Sequence, residues 1–160
     1  MIARNGEMEK AVLLLDEISK RTNKGNRSDE AAYNILKGEI ELFKGNFTES
    51  REFLEIGTTL RRDAYTLESL ASYYFQARDW ERAIATYEEM ISYRSLGWEA
   101  QECWVQAHLN LGIAYEEMDN AEEAIYYYRQ FVELWKEADE DLPDLLEAKS
   151  RLEQLHSLAI

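Results

Sequence analysis

Small residues are followed four positions later by bulky apolar ones at four places along the chain: Ala11 with Leu15, Ser50 with Leu54, Ala83 with Tyr87 and Ala124 with Tyr128. Each pair follows a short polar turn, in "RNGEMEK", "FKGNFTES", "QARDWERA" and "EMDNAEEA". A second pattern precedes the last two turns. Leu70, Ala71 and Tyr74 stand before one, and Leu111, Gly112 and Tyr115 before the other, with each tyrosine nine residues ahead of the small residue that follows. Gly38 precedes Gly45 by the seven residues that separate Ala71 from Arg78 and Gly112 from Asp119, so it holds the same place one unit earlier. Spacings of three, four and seven put these residues on one face of an α-helix. The pattern predicts helical hairpins repeating at intervals of 39, 33 and 41 residues. The recurring glycines and alanines are read as packing residues, because a large side chain there would hold antiparallel helix axes more than about 8 to 10 Å apart.

Composition supports an all-α chain. With one proline and seven glycines in 160 residues, a loop-rich β architecture is excluded, and helix-favouring residues dominate. The 32 acidic and 18 basic side chains give a formal charge of −14, which sets nucleic acid aside as a partner. The basic stretch "KRTNKGNR" at 20–27 and the pair Arg61 and Arg62 are read as solvated loops. Cys103 is alone, which fits a reducing, cytoplasmic compartment. No apolar run has the length of a membrane span or a signal core, so no membrane partner is expected.

Leu70-Ala71-x-x-Tyr74 with Ala83-x-x-x-Tyr87, and Leu111-Gly112-x-x-Tyr115 with Ala124-x-x-x-Tyr128, resemble the tetratricopeptide repeat. The preceding unit departs from that pattern: Lys37 stands for Leu, Glu41 for Tyr and Ser50 for Ala, while Leu67 and His108 occupy the place of the family's first aromatic. The resemblance implies a right-handed superhelical stack of antiparallel helix-turn-helix repeats. The expected single domain comprises a truncated repeat at 1–22, repeats at 28–62, 63–96 and 99–138, and a capping helix at 142–158. Too few residues precede the Gly6 turn for a full first helix, so the chain is expected to be the C-terminal part of a larger bacterial protein. Its end, "FVELWKEADEDLPDLLEAKSRLEQL", resembles the ends of bacterial repeat proteins whose array follows a kinase, cyclase or transcription-regulator domain. In the last segment Leu145, Ala148, Leu152 and Leu155 form one apolar stripe behind Asp141 and Pro143.

Nothing in the pattern assembles a catalytic set, and no cofactor or metal is expected. His108 and His156 fall on different predicted helices without ligand spacing; His108 is read as a packing residue and His156 as a surface residue beside the last apolar stripe. Adjacent acids such as Glu88-Glu89 and Glu122-Glu123 diverge by about 100° on a helix and cannot converge on one atom. Phosphate-cradling glycine loops and an EF-hand are absent from the sequence. In "YYY", Tyr128 is assigned to the core, with Tyr126 and Tyr127 meeting the first helix of their own unit and the C-terminal helix. Trp80 is assigned to closing a turn, while Trp98 and Trp104 flank the longest linker.

In a stack of helical hairpins the first helices line the inner side. The expected groove draws Glu39 and Phe43 from one unit, with Ile35 and Leu42 beside them. The next supplies Tyr65, Glu68, Ser72, Phe75 and Gln76, with Ser69. The last supplies Asn110, Ile113 and Glu117, with Gln106, Leu109 and Glu116. Four carboxylates and no Lys or Arg lie among these positions, so the expected partner is a peptide with basic and apolar residues. The alternative expectation is a structural or self-associating part of a larger signalling protein, making contact through 7–21 or the tail at 158–160.

Overall fold

The computed structural model describes residues 7–21, 25–93, 101–139 and 141–158. The turn at Gly6, residues 22–24 of the basic stretch, Trp98 and the last two residues of the apolar tail lie outside them. The described residues form eight helices and no strand: α1 Glu7–Arg21, α2 Arg27–Phe43, α3 Phe47–Leu60, α4 Ala64–Gln76, α5 Trp80–Ser92, α6 Gln101–Glu117, α7 Ala121–Leu134 and α8 Pro143–Leu158.

Four of the helix starts have a side-chain reason. Asn26, Asp79 and Asn120 cap α2, α5 and α7 by accepting a hydrogen bond from a backbone N–H of the first turn. Asp63 and Thr66 cap α4 reciprocally. The turns that end α2, α4 and α6 share one device: Gly45, Arg78 and Asp119, matched by the seven-residue spacing, all have left-handed backbone, with φ of 81°, 56° and 57°. At Gly45 and Asp119 the residue's own amide and the next one bond back onto the last helical turn, satisfying carbonyls that the helix itself leaves open.

The chain divides into two compact units, Met1–Ala77 and Arg78–Ile160, with the cut at the turn inside the hairpin expected at 63–96. A repeat array has only neighbour contacts, so a helix packs on the preceding unit as well as on its own partner and a cut can fall at any turn.

In the first unit α2 packs along α3, α3 along α4, and α1 against α2. Gly38 and Gly57 bring α2 and α3 together: a Cβ on Gly38 would lie 2.6 Å from Leu54, and one on Gly57 2.8 Å from Ile35. Ser50 and Leu54 are fully buried between the helices, and Ala11 joins Leu36 and Ile40 in a smaller cluster.

In the second unit α5 packs on α6, α6 on α7 and α7 on α8. A Cβ on Gly112 would lie 2.5 Å from the Tyr128 ring, which is completely buried. Leu109, Tyr128 and Phe131 form a core with Leu145, Ala148 and Leu155 of α8, so α8 covers the apolar side of α6 and α7. Leu152 and His156 stand 41 residues beyond Leu111 and Tyr115, which gives α8 the spacing of another first helix.

Candidate functional site

The predicted groove residues fall in both units, and the two sets have different surroundings. In the first unit α4 is started by its Asp63–Thr66 cap, which sets Tyr65 on the first turn, half exposed. Ser69, one turn later, donates its hydroxyl to Glu39 Oε1 at 2.6 Å, tying α4 to α2. On α2, Phe43 occupies the last turn and is 54% exposed. Its position follows from the turn behind it: Gly45 reverses the chain, and the Glu41 carboxylate locks that reversal by accepting from Lys37 at 2.8 Å, Lys44 at 3.1 Å and Asn46 Nδ2 at 2.7 Å. These donors hold the Glu41 carboxyl at about 2, well below the usual carboxylate range.

Glu39 is perturbed the other way. Burial pushes its carboxyl up, the Ser69 hydrogen bond opposes that shift, and the Glu68 charge adds to it. Glu68, Ser72 and Phe75 are partly exposed on the same helix as Tyr65, and Gln76 is exposed. In the first unit α2 and α4 thus carry three aromatic rings, Phe43, Tyr65 and Phe75, the Glu39 and Glu68 carboxylates, Ser69, Ser72 and Gln76.

In the second unit the corresponding positions are engaged in packing. Asn110 donates its side-chain amide to Tyr87 Oη at 2.9 Å, Ile113 is half-buried against the core, and Leu109, expected at the groove, is 2% exposed within it. Leu109 and Ile113 share a core with the apolar stripe of α8, while Asn110 is engaged by α5. Glu116 accepts from Tyr128 Oη at 2.6 Å and from Arg151 Nη1 at 2.9 Å, while Glu117 remains exposed.

Two glutamates do specific work that the sequence reading did not assign to them, Glu55 and Glu88 of the Glu88-Glu89 pair. Tyr74 donates to Glu55 at 3.0 Å, and Tyr115 donates to Glu88 at 2.7 Å, each bond joining a first helix to the second helix before it. Tyr127 adds a bond to Glu88 at 3.1 Å and stacks on Tyr115. Burial, together with the Glu88 hydrogen bonds and charge, raises both phenols far above the usual tyrosine range. A signal was present: each glutamate directly follows the bulky member of its pair, Leu54 or Tyr87. Where α8 takes the first-helix place, the same contact joins Arg129 Nη2 to His156 Nε2 at 2.9 Å.

Tyr128 is in the core and Tyr127 meets α6 as the periodicity predicts. Tyr126 is 54% exposed instead of covered, because three consecutive residues sweep too wide an arc for one interface; it borders a shallow hollow with Arg129 and His156. His108 is 5% exposed, packs edge-on to Trp104 and has Nδ1 2.8 Å from the Trp104 carbonyl, with burial lowering its basicity. Trp104 in turn donates Nε1–H to the Ile91 carbonyl at 3.1 Å. Among the described residues no group of three or more His, Cys, Asp or Glu is arranged to hold a metal ion, and no helix is long and apolar enough to cross a membrane.

Residues 106–138 match the tetratricopeptide repeat family. Among solved structures, the chain is similar to a kinesin light chain-type protein of Podosopora anserina with nearly identical TPR-like repeats, at 17% identity and a TM-score of 0.73, covering 96% of this chain and 79% of that one. The TPR domain of Arabidopsis OM64 is similar at 15% identity and a TM-score of 0.64, covering 81% and 98%. MamA is similar at 17% identity and a TM-score of 0.63, covering 94% and 82%. No curated protein sequence matches significantly.

Proposed function

From a chain with a tetratricopeptide repeat at 106–138 and the helical-repeat fold around it, we propose a non-catalytic protein-interaction module that captures a peptide rich in Lys or Arg and apolar residues. The observation that carries this reading is the α2–α4 face. There Phe43 and Tyr65 stand half exposed beside Glu39 and Glu68, with Ser72, Phe75 and Gln76 completing a surface whose named positions include no Lys or Arg. The exposed rings supply most of the affinity, since alanine substitution at such anchors costs 2 kcal/mol or more at hot spots. The glutamates select the partner's sign of charge and speed its approach. The reading rests on the first unit; in the second, Asn110 and Ile113 already serve the packing of α5 to α8.

The test is capture of a random peptide library by the native chain and by a Glu68→Lys, Glu117→Lys variant. The expected outcome is a set of basic and apolar sequences held by the native chain, released as salt rises and lost by the variant. An enrichment that is unaffected by the charge reversal would refute the reading.

A specific observation also favours self-association. Val12, Leu13 and Leu14 of α1 are 45%, 69% and 45% exposed. We therefore offer α1 as a second contact surface, checked by sedimentation equilibrium: the native chain should gain mass with concentration and a Leu13→Lys variant should not. The single Cys103 accords with a reducing compartment, and we place the chain in the cytoplasm.

A further inference from the structure

The parts of the α2–α4 face have a fixed order along the helix axes. Short turns make α3 antiparallel to both α2 and α4, so those two helices run in the same direction. The Ser69–Glu39 hydrogen bond at 2.6 Å then sets their register. Phe43 lies one turn beyond Glu39 on α2, and Tyr65 lies one turn before Ser69 on α4. The two exposed rings therefore flank the carboxylate, each displaced by about 6 Å along the axis at the helical rise of 1.5 Å per residue.

With packed helix axes about 8 to 10 Å apart, the rings are about 15 Å from each other, a span that four residue steps of an extended chain at roughly 3.3 Å each nearly cover, with the apolar side chains at its two ends making up the difference. Side chains two apart on such a chain point the same way, so positions i, i+2 and i+4 face the surface together. The middle position meets Glu39, whose charged form is disfavoured by burial and by the neighbouring Glu68 charge. A cation brought there opposes both by favouring the charged carboxylate.

We propose that this face is a three-point site for an extended segment of the form apolar, any, Lys or Arg, any, apolar. The cation sits at Glu39 and Glu68, and the apolar side chains rest against Phe43 and Tyr65. Ser69 fixes Glu39 in place, so the site measures spacing as well as charge. The inference rests on the peptide-capture reading above, and adds to it the register of the bound sequence and its location in the first unit.

The experiment is fluorescence anisotropy of the full chain with three labelled peptides flanked by Gly-Ser: Leu-Ser-Arg-Ser-Leu, the stretched Leu-Ser-Ser-Arg-Ser-Ser-Leu, and Leu-Ser-Glu-Ser-Leu. The first should bind about tenfold more tightly than either of the others. Phe43→Ala and Tyr65→Ala, at positions exposed enough to leave the fold intact by circular dichroism, should each weaken it by about tenfold. Equal binding of the matched and stretched peptides overturns the spacing rule while leaving basic and apolar capture standing. Matched-peptide binding that survives both alanine variants overturns the location. If neither arginine peptide binds, this inference fails; failure of the broader reading is then read separately, from a library capture that yields no basic and apolar sequences.

Discussion

Ser50 shows how one residue can carry a local cost. It occupies the small-residue position that is alanine in three other pairs, is completely buried, and its hydroxyl has no hydrogen-bond partner. Removing an unsatisfied buried hydroxyl without opening a cavity recovers its desolvation cost, so Ser50→Ala should raise stability by about 1 kcal/mol in urea unfolding. Arg78 is strained differently, with φ of 56° at the turn position that Gly45 holds without a Cβ. Arg78→Gly should gain up to about 1 kcal/mol, and Asp119→Gly less, because Asp tolerates that backbone region better than Arg. Thermal melts of the two variants check the order. Glu41 gives a pH dependence with a definite sign. Its carboxyl is held at about 2 when folded, so its stabilising contribution is full above the unfolded value of about 4.5 and is lost as pH falls towards 2. The stability advantage of the native chain over Glu41→Gln should shrink across that window in urea titrations.

At the scale of helices, the repeat is held by apolar close approach and by polar bonds across its junctions. Gly38, Gly57 and Gly112 let facing helices meet where a Cβ would collide with Leu54, Ile35 or Tyr128. The tyrosine-to-glutamate bonds, Tyr74 to Glu55 and Tyr115 to Glu88, then fix rotation about the helix axis, which apolar packing leaves softer. Glu88 accepts from two phenols, so Glu88→Ala should cost about 2 kcal/mol, measured by chemical unfolding, by leaving both without their acceptor. The hairpins, turns and small-residue contacts were legible in the sequence because they recur at fixed spacing and each depends on residues close in the chain. The Glu41 clamp was not: the departure of Glu41 from the tyrosine pattern was visible, but its compensation by Lys37, Lys44 and Asn46 depends on the shape of the completed turn.

On the scale of the whole chain, Leu36 and Ile40 belong to a buried cluster of the first unit, and Tyr128 and Phe131 to one of the second. Helical arrays derive stability from neighbouring contacts, so damage to one core is felt locally first. Phe131→Ala, a loss of about 3 to 5 kcal/mol, should remove hydrogen-exchange protection from α6 to α8 before it affects α2 and α3; simultaneous loss in all of them would refute local cooperativity. Half of the expected groove was likewise decided at this scale. Periodicity put Leu109 and Ile113 on the same face as Glu39 and Tyr65, but it gave no measure of how closely α8 would pack against α6. By itself the sequence determined the all-α class, the repeat, its turns and the close approach at Gly38 and Gly112, though not at Gly57, because those are set by periodicity and local backbone chemistry. Only the tertiary structure decided which polar residues are satisfied and which aromatic rings stay open, because exposure depends on what a distant helix covers.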